Sequence, residues 1–380
     1  MSFKTSMKYL HQLFYNNRLK IIMQQKSFLF YFVLTITLSS CSQEVLNIGY
    51  LGSLTGKYGT IMIPNKNGAI LAVEELNARG KDKVNLIVAD NQSQVDLTIE
   101  AMEELHNKGC QTIILATSSE AYSYSEKYMD EHNILVISPV ISSDEFSNKD
   151  DNFFRLTNGT SRYGEVLGQY IEDQNYQYLT IVRNINNLSY SNMLIKGFDI
   201  YDDIDINIIN FDSFKETSYK KIATQIIDSK PQIILLITVP FDAAMICQQL
   251  YQHDIPILLS SFAVTQDLIQ NGGRAVEDTV FFLEQAFEDD TDYLQFKDKY
   301  YNRFGSEATY QSLKSYDAVN ILYSAYKSAK SPDIEAIKAE LLEGKNLKGY
   351  ISEYHFNQFG DYDSVLIPHT IKNGKIVKLD

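Results

Sequence analysis

From Val45 to about residue 283 the chain alternates short apolar runs with longer segments whose apolar positions recur at helical spacing. Strands joined by crossover helices produce that alternation, and it confines the chain to parallel sheets with helices laid on their faces. A first series of strands is expected at 46–51, 84–89, 112–116 and 134–137. Between the first two, Ala69, Ala72, Val73 and Leu76 fall at i, i+3, i+4 and i+7, one apolar helix face. Pro64 suits the first turn of that helix, and Arg79 with Gly80 marks its end.

A second series follows at 179–183, 206–211, 233–238, 257–259 and 279–283. Ala243, Ile246, Cys247 and Leu250 form another such face, which makes Cys247 a core residue. Helices are expected over 292–304, 311–328 and 334–342, then a terminal strand pair around 351–356 and 364–372. At 380 residues, 44% of them hydrophobic, the chain can bury a core and is too long for one compact domain. Two sheet-bearing lobes with no low-complexity linker between them describe a hinged pair.

The first forty residues have a different character. They carry Lys4, Lys8, Arg18, Lys20 and Lys26 and no acidic residue, and the apolar run 28–38 has signal-peptide length, short of a transmembrane helix. Residues 1–40 therefore read as a signal peptide outside the fold, and Met23 offers an alternative start of ordinary length. Leu38-Ser39-Ser40-Cys41 resembles the lipobox of bacterial lipoproteins, whose cysteine is acylated and becomes the new N-terminus. Two or three acyl chains hold a protein on a bilayer where one does not. The resemblance thus implies lipidation at Cys41 and a lipid-anchored, extracytoplasmic place in a bacterial cell envelope. Removing the five basic groups takes the formal charge from −14 to −19. So acidic a surface repels phosphate backbones, and nucleic acid is not an expected partner.

Cys110 and Cys247 fall in different lobes on apolar faces, so no disulfide is expected. The six histidines are scattered, with no pair at i, i+4 spacing and no cysteine or carboxylate cluster beside them; no metal or cofactor is indicated.

Four stretches carry a wider likeness. Ile48 to Gly56 with Asn67-Gly68-Ala69 and Ala72 to Asn77 supply an opening strand, loop and helix. Ile134 to Pro139 supplies a strand ending at a cleft, and Phe154-Arg155-Leu156 a first crossing between lobes. Tyr316-Asp317-Ala318-Val319 and Phe356 to Asp361 supply a late helix and a C-terminal turn. In this order they resemble the branched-chain amino-acid-binding proteins of bacterial transporters, the type I periplasmic binding proteins. The resemblance implies an α/β fold of two Rossmann-like parallel-sheet lobes joined by a three-crossing hinge, with a ligand held between them. Lobe 1 is then 45–158 plus 285–350, and lobe 2 is 159–284 plus 351–380. It implies as partners a small-molecule ligand, an ABC permease complex and, through Cys41, a membrane.

By the same resemblance, a ligand carboxylate is gripped at two strand ends. Thr117 and Ser118 stand at one, and Val140 and Ser142 at the other, offering hydroxyls, a backbone group and a helix start that favours an anion. Thr117, Ser118 and Ser119 could equally do no more than cap the following helix. Relatives that bind amino acids place an acidic residue after the strand 257–259 to meet the ligand ammonium, but this chain reads Ser260-Ser261-Phe262. An aromatic contact after 179–183 falls on Asn186 or Asn187. A buried ammonium without a counter-charge is costly, so a zwitterionic amino acid is not assigned, although Asp242 or Glu284 could supply a carboxylate if either is not simply solvated. Tyr58, Phe241, Phe262 and Tyr310 are the aromatic wall candidates, with Phe262 and Tyr310 foremost.

An enzyme on this architecture would need a site. Gly52 to Tyr58 is one residue short of a phosphate loop and ends in Tyr58 where a metal-binding hydroxyl belongs, so it reads as a cleft loop. No dinucleotide fingerprint or nucleophile elbow occurs. The expected role is therefore solute capture for a transporter without catalysis, and the rival is a sensing lipoprotein that signals to a membrane receptor.

Overall fold

The computed structural model describes residues 45–80, 83–284, 290–345, 347–351 and 353–379. Residues 1–40, where a signal peptide is expected, and Cys41 lie outside the described residues.

The first sheet comprises β1 (Val45–Gly52), β2 (Lys83–Asp90), β3 (Thr112–Ala116), β4 (Leu135–Ser138) and β5 (Phe153–Arg155). All are parallel, in the order β2-β1-β3-β4-β5. Strands β3 and β4 are buried along their whole length, as their unbroken apolar runs require of strands covered on both faces. Helices α1 (Gly59–Arg79), α2 (Leu97–Asn107) and α3 (Ser119–Glu131) make the crossovers. Pro64 lies inside α1, not in its first turn, because the helix starts earlier, where Ser93 Oγ accepts the Tyr58 N–H at 3.1 Å. The interior proline leaves one helical carbonyl without its usual partner.

The second sheet comprises β6 (Tyr178–Asn184), β7 (Asp205–Phe211), β8 (Ile233–Ile237), β9 (Ile257–Leu259), β10 (Val280–Leu283), β11 (Ile367–Lys372) and β12 (Lys375–Lys378). The order is β12-β11-β10-β9-β8-β6-β7, parallel from β10 to β7 and antiparallel at β11 and β12. Around it run α4 (Thr160–Asp173), α5 (Leu188–Lys196), α6 (Tyr219–Asp228), α7 (Pro240–Leu250) and α8 (Gln266–Gly272). In α4, Tyr163, Leu167 and Ile171 recur every fourth residue and are buried.

The remaining helices, α9 (Thr291–Phe304), α10 (Tyr310–Ala329) and α11 (Ile334–Glu343), return to the first sheet. Phe296, Val319, Leu322 and Ile337 join Ile48, Tyr50, Ala72 and Ile114 in one core. Helices α1 and α10 meet backbone to backbone: a Cβ on Gly68 would stand 1.9 Å from the Ser312 carbonyl oxygen. The Asn-Gly-Ala stretch around Gly68 is thus a packing requirement.

The C-terminal region departs from expectation. Among the described residues of 351–356 there is no strand, only a single bridge from Glu353 to Lys348. Tyr354 and Phe356 instead join the first sheet's core, so this segment packs with lobe 1 and not lobe 2. Asp317 holds it, accepting from the Tyr350 N–H at 2.6 Å and the Tyr354 hydroxyl at 2.9 Å. Burial pushes the Asp317 carboxyl up to about 7 against these donors and the Lys314 charge. The terminal pair is β11 and β12, joined at Asn373 and Gly374, both at positive φ, the backbone a two-residue hairpin demands.

The chain passes between the sheets three times: after β5, after β10 and between α11 and β11. Cys110 and Cys247 are free thiols buried in separate core clusters.

Candidate ligand-binding cleft

The carboxyl ends of β3 and β4 face those of β9 and β10 across a cavity of about 70 Å³. Open parallel sheets bind ligands at such strand ends. Tyr58, Thr117, Ser118, Val140, Ser142, Phe262 and Tyr310 all line it, so residues far apart in sequence converge as expected. Asn186 does not. It accepts from the Ser213 N–H at 3.0 Å and donates to Asp212 at 2.9 Å, while its neighbour Asn187 lines the cavity. Of the two positions that the sequence offers, the short turn at 185–187 thus brings Asn187 to the cavity. Phe241 is exposed and packs edge-on against Tyr219 outside the cavity, at 6.5 Å between ring centres.

The hydroxyls sort by what they already do. Ser53 has one proton, given to Asn91 Oδ1 at 2.8 Å, so in its 2.8 Å contact with Thr117 the threonine donates. Thr117 also accepts from Asn91 Nδ2 at 2.9 Å. Its hydroxyl is therefore committed to the framework. Ser118 caps α3 by accepting from the Ala121 N–H at 3.2 Å, and Ser142 accepts from Thr160 Oγ1 at 2.8 Å. Each of these two serines keeps its own proton for the cavity, Ser118 at the positive end of α3 and Ser142 at that of α4. The Tyr58 hydroxyl is buried with no hydrogen-bond partner among the described residues.

Loop 53–58 carries Tyr58 into place. Asp90 accepts from the Leu54 N–H at 2.8 Å and from Thr55 Oγ1 at 2.7 Å, and Gly56 takes φ +76 where a Cβ would meet Gln92 O at 2.7 Å. Tyr58 then packs edge-on against Phe262 and Phe214 of the opposite lobe, at 6.0 and 5.8 Å between ring centres. Polar contacts also bridge the lobes. Lys57 reaches Asp242 at 3.0 Å, and Glu120 accepts from the Ser189 N–H at 3.2 Å. Ser189 Oγ donates to Glu145 at 2.6 Å, and Ser143 Oγ to the Ser189 carbonyl at 3.1 Å. The two lobes are thus closed on each other.

The floor of the cavity is ionic. Neither Asp242 nor Glu284 is solvated: their side chains are 0% and 1% exposed, and each pairs with a lysine. Asp242 holds Lys57 and the Tyr219 hydroxyl at 2.7 Å. Glu284, at the second crossing, pairs with Lys314 of α10, which also donates to the Leu156 carbonyl of the first crossing. Burial alone would raise the Glu284 carboxyl, but the Lys314 charge and the donors around it hold it below its ordinary value. Tyr362, on the third crossing, presents its ring 5.4 Å from Lys314 Nζ. One ion pair thereby ties all three crossings together beneath the ligand space.

Lys314 was not anticipated. Its signal lies in the helix pattern: Lys314, Asp317, Ala318 and Ile321 share one face, and that face is buried throughout. Thr157, Tyr163 and Tyr190 also line the cavity without any motif that singles them out.

A family model described as periplasmic binding protein matches residues 45–361. Leu/Ile/Val-binding protein homolog 3 of Brucella melitensis is 21% identical over 373 residues, 92% of this chain and 97% of that one. The branched-chain amino-acid transporter substrate-binding protein of Streptococcus pneumoniae, in complex with isoleucine, has a TM-score of 0.79 at 19% identity, over 88% of this chain and 98% of that one. A solute-binding protein of an ABC transporter from Rhodopseudomonas palustris, in complex with 3,4-dihydroxybenzoic acid, has a TM-score of 0.79 at 12% identity, over 88% and 96%. At such identities the structural likeness establishes the fold, two α/β lobes with the ligand space between them.

Proposed function

The chain belongs to the periplasmic binding protein family, and from that premise we propose that it is a lipid-anchored, extracytoplasmic binding protein that captures a small carboxylate-bearing solute and delivers it to an ABC permease. It acts by binding, without catalysis. The observation that carries this reading is the cavity between the lobes in which Ser118, at the start of α3, and Ser142, at the start of α4, hold uncommitted hydroxyl protons. A carboxylate placed there meets donors and a helix N-terminus together. The relatives on this fold hold isoleucine in one case and an aromatic acid in another, and both carry a carboxylate. Closure of the lobes over it, with Tyr58 packed on Phe262, is the step a permease would read.

Two measurements test the reading. A fragment of residues 42–380 should gain thermal stability with one class of small carboxylate across a broad metabolite panel. Ser118→Ala and Ser142→Ala should each weaken that ligand by about 1.5 to 3 kcal/mol, the range for hydrogen bonds to a charged group. A panel that shifts nothing sinks solute binding; unchanged affinity in both variants removes the serines from the site. For the anchor, Cys41→Ser should move the protein from the membrane to the soluble fraction and leave ligand affinity as it was. Retention on the membrane would show that Cys41 is not the attachment point.

A further inference from the structure

The charge arrangement at the floor of the cavity bears directly on the class of ligand. Among the described residues that line it, Glu284 is the one carboxylate. Its Oε1 accepts from Thr157 Oγ1 at 2.6 Å, the Asn158 N–H at 3.0 Å and the Tyr163 hydroxyl at 2.7 Å. Its Oε2 accepts from the Tyr310 hydroxyl at 2.9 Å and from Lys314 Nζ. A carboxylate offers about four lone-pair sites, so these donors saturate it. Of the other buried acids nearby, Asp242 is held by Lys57 and Tyr219, and Asp317 by the Tyr350 N–H and the Tyr354 hydroxyl.

An α-amino acid brings an ammonium that needs an open carboxylate in a space this dry. The protein has filled that role from within: Lys314 stands against Glu284 with its side chain 2% exposed, and the pair adds no net charge to the cavity. A ligand ammonium would meet a second ammonium and no free acceptor of opposite charge. A carboxylate without an ammonium meets no such conflict, since Ser118 and Ser142 offer it donors and Ile61, Met62, Tyr58 and Phe262 supply an apolar body.

We propose that Lys314 is a specificity-determining residue: by taking the counter-charge position opposite Glu284, it makes the cleft select aromatic or branched-chain carboxylates that lack an ammonium group over the matching α-amino acids. This rests on the solute-binding reading above and deepens it.

Matched pairs that differ only in the amino group test it by calorimetry on the 42–380 protein: 4-methylpentanoate against leucine, and 3-phenylpropanoate against phenylalanine. At least one acid should bind ten-fold or more tightly than its amino-acid partner. In Lys314→Met, of similar length and without charge, Glu284 has no internal cation and can exchange its proton for a ligand ammonium, and the ratio should narrow at least ten-fold or reverse. Because that variant alters a buried pair, the wild-type ratios carry the test by themselves if it does not fold. Amino acids binding as tightly as the acids, or an uncharged solute binding instead of both, overturns the selectivity and leaves solute binding standing. No binding by these pairs or by any member of the metabolite panel overturns both.

Discussion

Glu284→Gln is expected to destabilise the protein by about 3 to 5 kcal/mol at pH 7, the range for breaking a buried ion pair from one side. The variant keeps the shape of the side chain and removes its charge, so Lys314, at 1% exposure, loses its ion pair and keeps only the weaker influence of Asp317, a carboxyl itself pushed up to about 7. Its way out is to give up a proton. Starting from an ordinary value of 10.5, neutralising a lysine at pH 7 costs about 5 kcal/mol, at about 1.4 kcal/mol for each unit. That sets the direction of the pH dependence. The unfolded variant holds the lysine proton and the folded one does not, so its stability should rise with pH, by about 1.4 kcal/mol per unit. Lys314→Met predicts the reverse slope. There the folded state keeps Glu284 protonated while the unfolded state ionises it above 4.5, and stability falls as pH rises. Denaturant titrations of both variants between pH 6 and 9 read the two slopes, and parallel curves would show that the surviving partner keeps its charge. The double variant, with no charge left to bury, should recover most of the loss.

This pair also marks where sequence reading stops. The strands were legible because buried parallel strands are apolar along their whole length, as β3 and β8 are. Strand β5 was read only as a crossing, since three residues that include Arg155 carry no such run. Cleft residues that follow strands, such as Ser118, Val140 and Phe262, could be placed because the topology puts every strand end on one edge. Such counting could not choose between Asn186 and Asn187, because the turn at 185–187 decides which of them reaches the cavity. Glu284 and Asp242 read as solvated because nothing local pairs them. Their partners Lys314 and Lys57 lie 30 and 185 residues away and meet them only in the folded chain. Which hydroxyl proton is free, at Ser142 but not at Thr117, depends on neighbours such as Ser53 and Thr160 that no motif records.

Arg155→Met should cost a comparable amount, about 3 to 5 kcal/mol, and should also reach the ligand. Arg155 ends β5 at the first crossing with its side chain 2% exposed, and pairs with Asp361 at 2.8 Å. Its other nitrogen donates to the Ser142 and Ser143 carbonyls at 3.3 and 3.1 Å, and it also holds Ser147 Oγ. A guanidinium cannot escape burial by deprotonating, so this geometry exists only with its acceptors in place. Asp361 is presented by a turn in which Asn357 Oδ1 accepts from the Phe359 and Asp361 N–H groups, at 2.9 and 3.0 Å. Gly360 makes the turn possible at φ +81, and a Cβ there would stand 2.5 Å from the Phe153 carbonyl. Without the fork, the 142–143 loop loses its tie to that turn, and Ser142 is the residue whose proton faces the cavity. Ligand affinity should therefore drop about ten-fold in whatever fraction folds, the equivalent of about 1.4 kcal/mol. Arg155→Lys retains the charge but not two parallel donors, and should recover part of the stability and less of the affinity. If both variants bind ligand as the wild type does, the 142–143 loop is held by its own contacts, with Thr160 first among them, and Arg155 is a brace for the hinge alone.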